Sequence, residues 1–518
     1  MEIEEIHQRK SYDTATIDQV VNSAINPDNT ITNDPYFDET NPKEKGKQAL
    51  YRRFQVEDNK GYDSDRDIYE DDDDMPFAKV SNKFTLASII CVVAGSGILG
   101  IPHALSRSGW VGLLFLVLSS IMAQFCGCLL IRCLYHGQSR RLSGFSEIGR
   151  ATFGKVGQIV GAVFSQFLLI STPTLYVILA GDNASRLFSA VGVYVDRKAC
   201  TWIVSAIVGI PFVFVRTIRD VSVTSFFASM ATVCLVLVMT MVAVSDFQNK
   251  TIQHTHHDWI IAENIPIAFS TFSFAYSGNV IFPHLESSMD EPSSWSKVLL
   301  VATFSVTMIY VLMGTLCYLS YGDHVETPVF NSIPEGSLAQ IVAMAVATIH
   351  VLLAVPMYLY VFTVNIESWL GIQRRRRRKL YNYNNKDKHE EGSPSAEEDS
   401  VTVTINNSSY KKESLWKFLL KHPGSARIVL RTATFCCCAL IAMLIPYFSD
   451  VMSLIGTIAA ESLTFVLPCV FWIKISWQEG GQTWELIICA LIIIAGIFCA
   501  VFGTYDAVKE FLHHIQQS

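Results

Sequence analysis

Charge is scarce in this chain of 518 residues. Only 17% of the residues are charged, against about 25% in an ordinary soluble domain, and the scarcity is uneven. Residues 1–76 hold 20 acidic and 9 basic residues, a net of −11, while the whole chain is −7. The acidic balance therefore belongs to one tail and says nothing about a substrate. No C-x-x-C pair occurs among the 13 cysteines, which removes the usual signature of structural zinc. Most cysteines lie in apolar stretches, as Cys436, Cys437 and Cys438 do, where cysteine acts as a small apolar residue. The first residues lack a basic start followed by an apolar core, so no signal peptide is read there. No nucleophile–base pair or metal set recurs at one depth of the apolar runs, which disfavours a membrane enzyme.

What is present is apolar sequence in long runs. Half of the chain is hydrophobic. A bilayer core takes about 20 apolar residues per helix, and eleven candidates follow: 84–104, 109–134, 157–180, 200–216, 221–245, 263–284, 297–321, 338–369, 428–447, 450–474 and 483–504. The expected fold class is an all-α polytopic membrane protein. Its expected organisation is a disordered acidic cytosolic tail over 1–80, helices 1–8 over 81–372, a disordered cytosolic insert over 373–426, helices 9–11 over 427–508 and a short C-terminal tail over 509–518. The tail is poor in apolar runs and ends in "EDDDD", Glu70–Asp74, so it cannot bury enough surface to offset its ordering entropy. "YRRF", Tyr51–Phe54, matches a tyrosine sorting pattern that is common by chance.

Orientation is read from Lys and Arg in the loops. Arg132, Arg140, Arg141, Arg150 and Lys155 follow the second helix, Arg216 and Arg219 the fourth, and "RRRRRK", Arg374–Lys379, the eighth. The loop after the seventh helix has neither Lys nor Arg. The even-numbered loops and the N-terminus are thus expected on the cytosolic side, with the C-terminus opposite. The arginine run suits anionic headgroups, and no nucleic-acid partner is expected. Sequons at Asn183 and Asn249 fall on the non-cytosolic side as glycosylation candidates; those at Asn406 and Asn407 fall on the cytosolic side and are expected to stay unmodified.

Gly95, Gly97 and Gly100 in "VVAGSGILGIP" fit the G-x-G-x-x-G spacing of a dinucleotide loop. That fingerprint needs a preceding strand, a following helix and an acidic residue about 20 positions on; residues 115–122 read "FLVLSSIM". Small residues on one face also let membrane helices pack closely. A third reading comes from the sixth span, "IPIAFSTFSFAYSGNVIFPHLESS", which carries Ser277-Gly278-Asn279 near its middle. Interruptions in spans one and six, five helices apart, are the pattern of two inverted five-helix repeats with an eleventh helix appended. Secondary transporters bind substrate between such discontinuous helices near the midplane. Freed N–H groups suit a carboxylate and freed carbonyls an ammonium group, so the expected ligand is an amino acid.

"KFTLASIICVVAGSGILGIPHALSRSGWVGLLFLV", "FSFAYSGNVIFPHLESSM" with "WSKVL", and "PYFSDVMSLIGTIAAESLTFVLPCVFWIKI" resemble the first, sixth to seventh, and tenth helices of the amino acid/auxin permease family. The resemblance runs in order over residues 80–505 and is nearest the vacuolar and vesicular amino acid exchangers, including the vesicular inhibitory amino acid transporter branch. It implies a bacterial leucine transporter-type fold, proton coupling and neutral amino acid substrates. It implies a substrate carboxylate on the backbone around Gly95, Ser96 and Gly97, and selectivity near Tyr276, Ser277 and Asn279. A vacuolar or other acidic-organelle membrane and H+/amino acid exchange follow as expectations. Symport, at the plasma membrane or out of an organelle, and amino acid sensing are the alternatives.

Two titratable residues stand deep in apolar spans, His350 in the eighth and Glu461 in the tenth. Such groups are functional candidates by default, here for proton coupling; the competing reading is a satisfied core side chain. No cofactor is expected beyond the coupling ion. Sodium stays open through carbonyls of the first span and a hydroxyl such as Thr363 in the eighth. "HTHHDW", residues 254–259, has the composition of a metal cluster, but a solvated loop is the expected reading. Cys200 and Cys317, near the same membrane face, are a candidate disulfide.

Overall fold

The computed structural model describes residues 80–135, 141–215, 218–249, 255–370, 423–445, 447–479 and 483–517. Most of the tail over 1–80, nearly all of the insert over 373–426, "YRRF", "EDDDD", "RRRRRK", Asn406 and Asn407 lie outside the described residues.

Every element of consequence is helical. The first span is broken into α1 (Asn82–Val93), a tight 3₁₀ turn (Ser96–Leu99) and α2 (Ile101–Ser108). Four helices follow: α3 (Val111–Leu134), α4 (Phe145–Ala190, turned at Phe153–Gly154), α5 (Arg197–Phe214) and α6 (Ile218–Asn249). The sixth span repeats the break, with α7 (Ile265–Ala275), a 3₁₀ turn (Ser277–Val280) and α8 (Phe282–Ser287). Then come α9 (Trp295–Tyr321), α10 (Leu338–Trp369), α11 (Pro423–Leu444), a segment of α12 (Phe448–Ile455) and α13 (Leu467–Glu479), and α14 (Thr483–Gln517). Between α12 and α13, Gly456–Ala460 and Ser462–Val466 wind as wide π-turns on either side of Glu461. Among the described residues, nine helices are long and apolar enough to cross a membrane; the two broken segments stand beside these nine.

Helices dominate because hydrocarbon offers backbone groups no water, so each segment must satisfy its own N–H and C=O groups. Their outward faces are apolar: Leu114, Ile207, Phe304 and Ile494 are all more than half exposed. In water such surface would drive association; against lipid it costs nothing. The third span is longer than its apolar run suggests. Gly154, at φ 64°, turns the chain after a short leading helix, and the helix proper continues to Ala190.

The two breaks touch. A Cβ placed on Gly97 would lie 2.5 Å from Ala275 Cα, so only glycine lets the two backbones approach. Tyr310, from α9, ties them together. Its hydroxyl donates to Val93 O at 2.6 Å and to Ala275 O at 3.0 Å. A phenol carries one hydrogen, so that hydrogen is shared between carbonyls freed by the two breaks.

Both ends of this crossing are closed. At one end Val80 pairs with the residues after α8, donating to Ser288 O at 2.8 Å and accepting from Asp290 N at 3.1 Å. There the fully buried Glu286 accepts from Arg141 at 2.6 Å and from the Tyr135 hydroxyl. Burial, then the Glu286 carboxylate beside it, pushes the Tyr135 phenol above its ordinary value, so it stays a neutral donor. At the other end residues 258–261 pair with 108–111, through Trp110 N to Asp258 O, Val111 N to Trp259 O and Ile261 N to Ser108 O. Gly109, at φ 76°, makes that approach possible.

That pairing bears on "HTHHDW". Its described part is a packed strap: His257 bonds through its ring to Tyr318 O and stacks on Trp110. Among the described residues no group of three or more His, Cys, Asp or Glu side chains is placed to hold a metal. Cys200 and Cys317 are both free, so the disulfide expected from their position is not formed.

If Tyr310 holds the crossing, Tyr310→Phe leaves two buried carbonyls without that donor and destabilises the protein by about 1–3 kcal/mol. A lowered melting temperature of the purified protein is the expected reading; an unchanged one shows that the phenol is dispensable.

Candidate functional site

The site grows out of the two turns. A 3₁₀ turn cannot satisfy the last carbonyls of the helix before it, and in both spans glycine and small polar residues replace the bulk that would hold a regular helix. Three phenols from three helices take up the freed groups. Tyr358 of α10 donates to Val92 O at 3.0 Å, and Tyr310 serves Val93 and Ala275. Tyr176 of α4 accepts from Ser96 N–H at 3.4 Å, and its ring meets Tyr358 edge-on at 5.8 Å. The Tyr176 oxygen thus lies where the opened backbone presents a donor, and a Cβ on Gly95 would fall 2.2 Å from it.

All six residues singled out in the two spans belong to this one place. Ser96, Tyr276 and Asn279 are each 1% exposed and Ser277 is 5% exposed. Tyr276 bonds Thr307 at 3.1 Å, and Thr307 in turn bonds Ser120 at 2.6 Å. Asn279 donates to Thr464 O at 3.0 Å, which ties the second break to the π-wound segment. Ser277 is turned to its own helix, donating to Phe274 O at 2.7 Å. Four buried polar atoms here have no partner: Ser96 Oγ, Asn279 Oδ1, Glu461 Oε2 and Thr464 Oγ1. Buried polar groups are nearly always bonded, so these four atoms are candidates for a further partner, as are others among the described residues such as Gln166 and His350 Nε2.

Glu461 is fully buried, and its other oxygen accepts from Ser273 at 3.4 Å. The π-turns on both sides of it are of the kind that recurs at functional sites. His350 is elsewhere. Its Nδ1 bonds Thr232 at 2.8 Å and Ala228 O at 2.9 Å on α6, about 12 Å along α10 from Tyr358. Thr363 is turned to Tyr360 O at 3.0 Å, within its own helix. Asn183 is 2% exposed and donates to Thr348 at 3.1 Å; a glycan needs an exposed amide, so this position is a structural one. Asn249 is the exposed last residue of α6.

Sequence reasoning missed the phenols and one stronger signal. Ser96-Gly97 with Pro102-His103 and Ser106 recurs, with the same spacing, as Ser277-Gly278 with Pro283-His284 and Ser287. The copies are alike in bonding as well: Ser106 donates to His103 O at 2.8 Å and Ser287 to His284 O at 3.0 Å. The phenols gave no comparable signal, because a tyrosine in an apolar span reads as one more aromatic.

Gly95→Ala and Gly97→Ala are expected to differ. The first collides with the end of a side chain, so Tyr176→Phe restores part of the lost stability, a coupling of about 0.5–3 kcal/mol between neighbours. The second collides with backbone, and Ala275→Gly does not restore it. Melting temperatures of the single and double variants check both.

The family model described as transmembrane amino acid transporter protein matches residues 78–509. Amino acid transporter AVT1J of Arabidopsis thaliana is 25% identical over 444 residues, covering 85% of this chain and 93% of that protein. Amino acid transporter ANT1 of the same plant is 25% identical over 442 residues, covering 82% and 91%. A solved Na+-coupled sialic acid symporter aligns with a TM-score of 0.45 at 12% identity, covering 84% of this chain and 91% of that one. The matched region takes in both breaks, the three phenols and Glu461, and the chain belongs to the transmembrane amino acid transporter family: it is a transport protein rather than an enzyme.

Proposed function

We propose that this chain is a proton-coupled transporter of neutral amino acids that works by alternating access, exchanging protons for substrate at the membrane of a vacuole or another acidic organelle. One observation carries the reading: two opened backbones cross with unpartnered polar atoms around them. An amino acid offers what those atoms lack. Its carboxylate accepts from the Ser96 and Gly97 backbone, displacing the Tyr176 hydroxyl from Ser96 N–H. Its ammonium group donates to Asn279 Oδ1 and to carbonyls freed in the second break. Tyr276, with Thr307 behind it, bounds the side chain.

In this reading both broken segments cross the membrane as well, which makes eleven spans. The repeated Ser-Gly and Pro-His motif supports two inverted five-helix halves, with α14 appended. The N-terminus is cytosolic and the C-terminus faces the lumen. The Val80–Met289 and Arg141–Glu286 contacts then form the cytosolic closure, and the pairing of 108–111 with 258–261 the luminal one. Each must open in turn around a fixed site.

Glu461 is the proton carrier of choice, because its carboxyl lies against α7 three residues before Tyr276 while His350 is turned to α6. Val92 and Val93, whose carbonyls would be natural sodium ligands, already accept from phenols, which supports a mechanism without sodium. The relatives named as amino acid transporters support the substrate class.

Reconstituted protein with an imposed pH gradient tests this. Gradient-driven uptake of a neutral amino acid is expected, and its complete absence across all of them defeats the reading. Glu461→Gln should abolish accumulation driven by the gradient yet keep counterflow exchange; full pH-dependent uptake would place the proton elsewhere. Asn249 tests the orientation. A glycan removed by Asn249→Gln puts the end of α6 in the lumen, whereas a cytosolic protease cleaving within residues 250–254 in sealed vesicles reverses the assignment.

A further inference from the structure

A cavity of about 450 Å³ opens at the closed end that contains Glu286, away from the crossing. Its walls are the end of α3, with Arg132 and Tyr135, the start of α9, with Ser293, Trp295 and Ser296, and Trp472 of α13. α3 ends and α9 begins there, so the cavity lies at the level of the lipid headgroups, and its tryptophans and tyrosine are the residues that favour that level.

Two kinds of donor and a helix dipole converge on it. Trp295 is 2% exposed and its indole Nε1–H has no acceptor. Tryptophan nitrogen only donates, so the missing partner is an acceptor. Trp295 is also the first residue of the 27-residue α9, whose N-cap Ser294 makes no capping bond through its side chain. The Trp295 N–H is taken by Pro292 O, and the dipole of α9 still favours an anion at this end. Arg132, half exposed, is held flat: Glu485 grips it at 2.9 Å and its guanidinium lies 4.1 Å over the Trp472 ring. Glu485 also accepts from the Trp472 indole at 3.0 Å. The carboxylate uses two of the five guanidinium N–H groups, and three remain.

Below the cavity the surface turns apolar. Leu300 and Phe304 follow Ser296 at helical spacing on α9 and are 56% and 64% exposed, a single stripe along one face. Donors at headgroup level above an exposed apolar stripe fit an amphiphile. Because Glu485 already offsets Arg132, the site suits a singly charged phosphodiester rather than a multiply charged phosphate.

We propose that this cavity binds the phosphate of a phospholipid headgroup, with the Trp295 indole and Arg132 as donors, the dipole of α9 favouring the anion, and an acyl chain along Leu300 and Phe304. The bound lipid bears on the site through one contact. Trp295 packs edge-on against Phe282 at 5.3 Å, and Phe282 opens α8, the half-helix beyond the second break.

Native mass spectrometry of the purified full chain, titrated with phosphatidylglycerol and separately with inorganic phosphate, tests the assignment without reference to transport. One phosphatidylglycerol is expected to stay bound per chain, with affinity falling about tenfold in Trp295→Phe, the loss of one hydrogen bond to a charged group. Ser296→Asp, an exposed change that spares the fold, should weaken it as well by charge repulsion. Equal retention in the wild type and both variants overturns the site, as does no retention in any. Inorganic phosphate that binds and is lost in Trp295→Phe, with phosphatidylglycerol unaffected, overturns the lipid as the source of the phosphate.

Discussion

A backbone that opens inside hydrocarbon must find partners for every group it frees, and the structure depends on how that need is met. Water is absent, so the partners have to come from neighbouring helices. Phenols suit the task, having an apolar body that packs among aliphatic side chains and one hydroxyl that serves a carbonyl. Tyr358 and Tyr310 serve Val92, Val93 and Ala275. The glycines complete the arrangement by allowing contact, since side chains at position 97 would hold the two opened segments apart.

The same constraint separates what is permanent in the site from what can exchange. Carbonyls held at 2.6–3.0 Å by Tyr310 and Tyr358 are settled parts of the frame. The Ser96 N–H contact to Tyr176, at 3.4 Å, is long and correspondingly weak. The unpartnered atoms of Ser96, Asn279, Glu461 and Thr464 belong to groups whose burial costs free energy until a partner is found. A transporter needs this combination, because a site fully satisfied without substrate would have no reason to bind it.

The closures at the two ends use different chemistry. One relies on an ion pair between the buried Glu286 and the partly exposed Arg141, backed by Tyr135 and a short backbone pairing at Val80. Removing one partner of such a pair leaves a buried charge alone, so the contact is either whole or broken. The other is a strap of main-chain bonds between 108–111 and 258–261. The histidines and aspartate of that strap suggest metal chemistry when read as composition; in the structure His257 is a packing residue against Trp110 and Tyr318.

Much of this protein is decided locally and is therefore legible in one dimension. Length and apolarity determine that segments such as 111–134 and 338–369 cross as helices, because a helix satisfies its backbone from within its own sequence. Ser-Gly pairs mid-span determine where two segments open, because glycine and serine weaken the helix at their own positions. The breaks at 95–97 and 276–279 are legible for that reason, whereas the approach of Gly97 to Ala275 is a tertiary contact. The partners are not legible. Tyr310 lies 217 residues from Val93, and Ser273 188 from Glu461; nothing at either position signals the other. Asn183 reads as a glycan acceptor in sequence, but packing turns its amide to Thr348, and Cys200 and Cys317 are both free. Between His350 and Glu461, equal candidates as buried titratable groups, only the packing of helices decided which stands beside the opened backbone. The local chain can state that a hydrogen bond is missing, but the residue that supplies it is chosen by contacts in three dimensions.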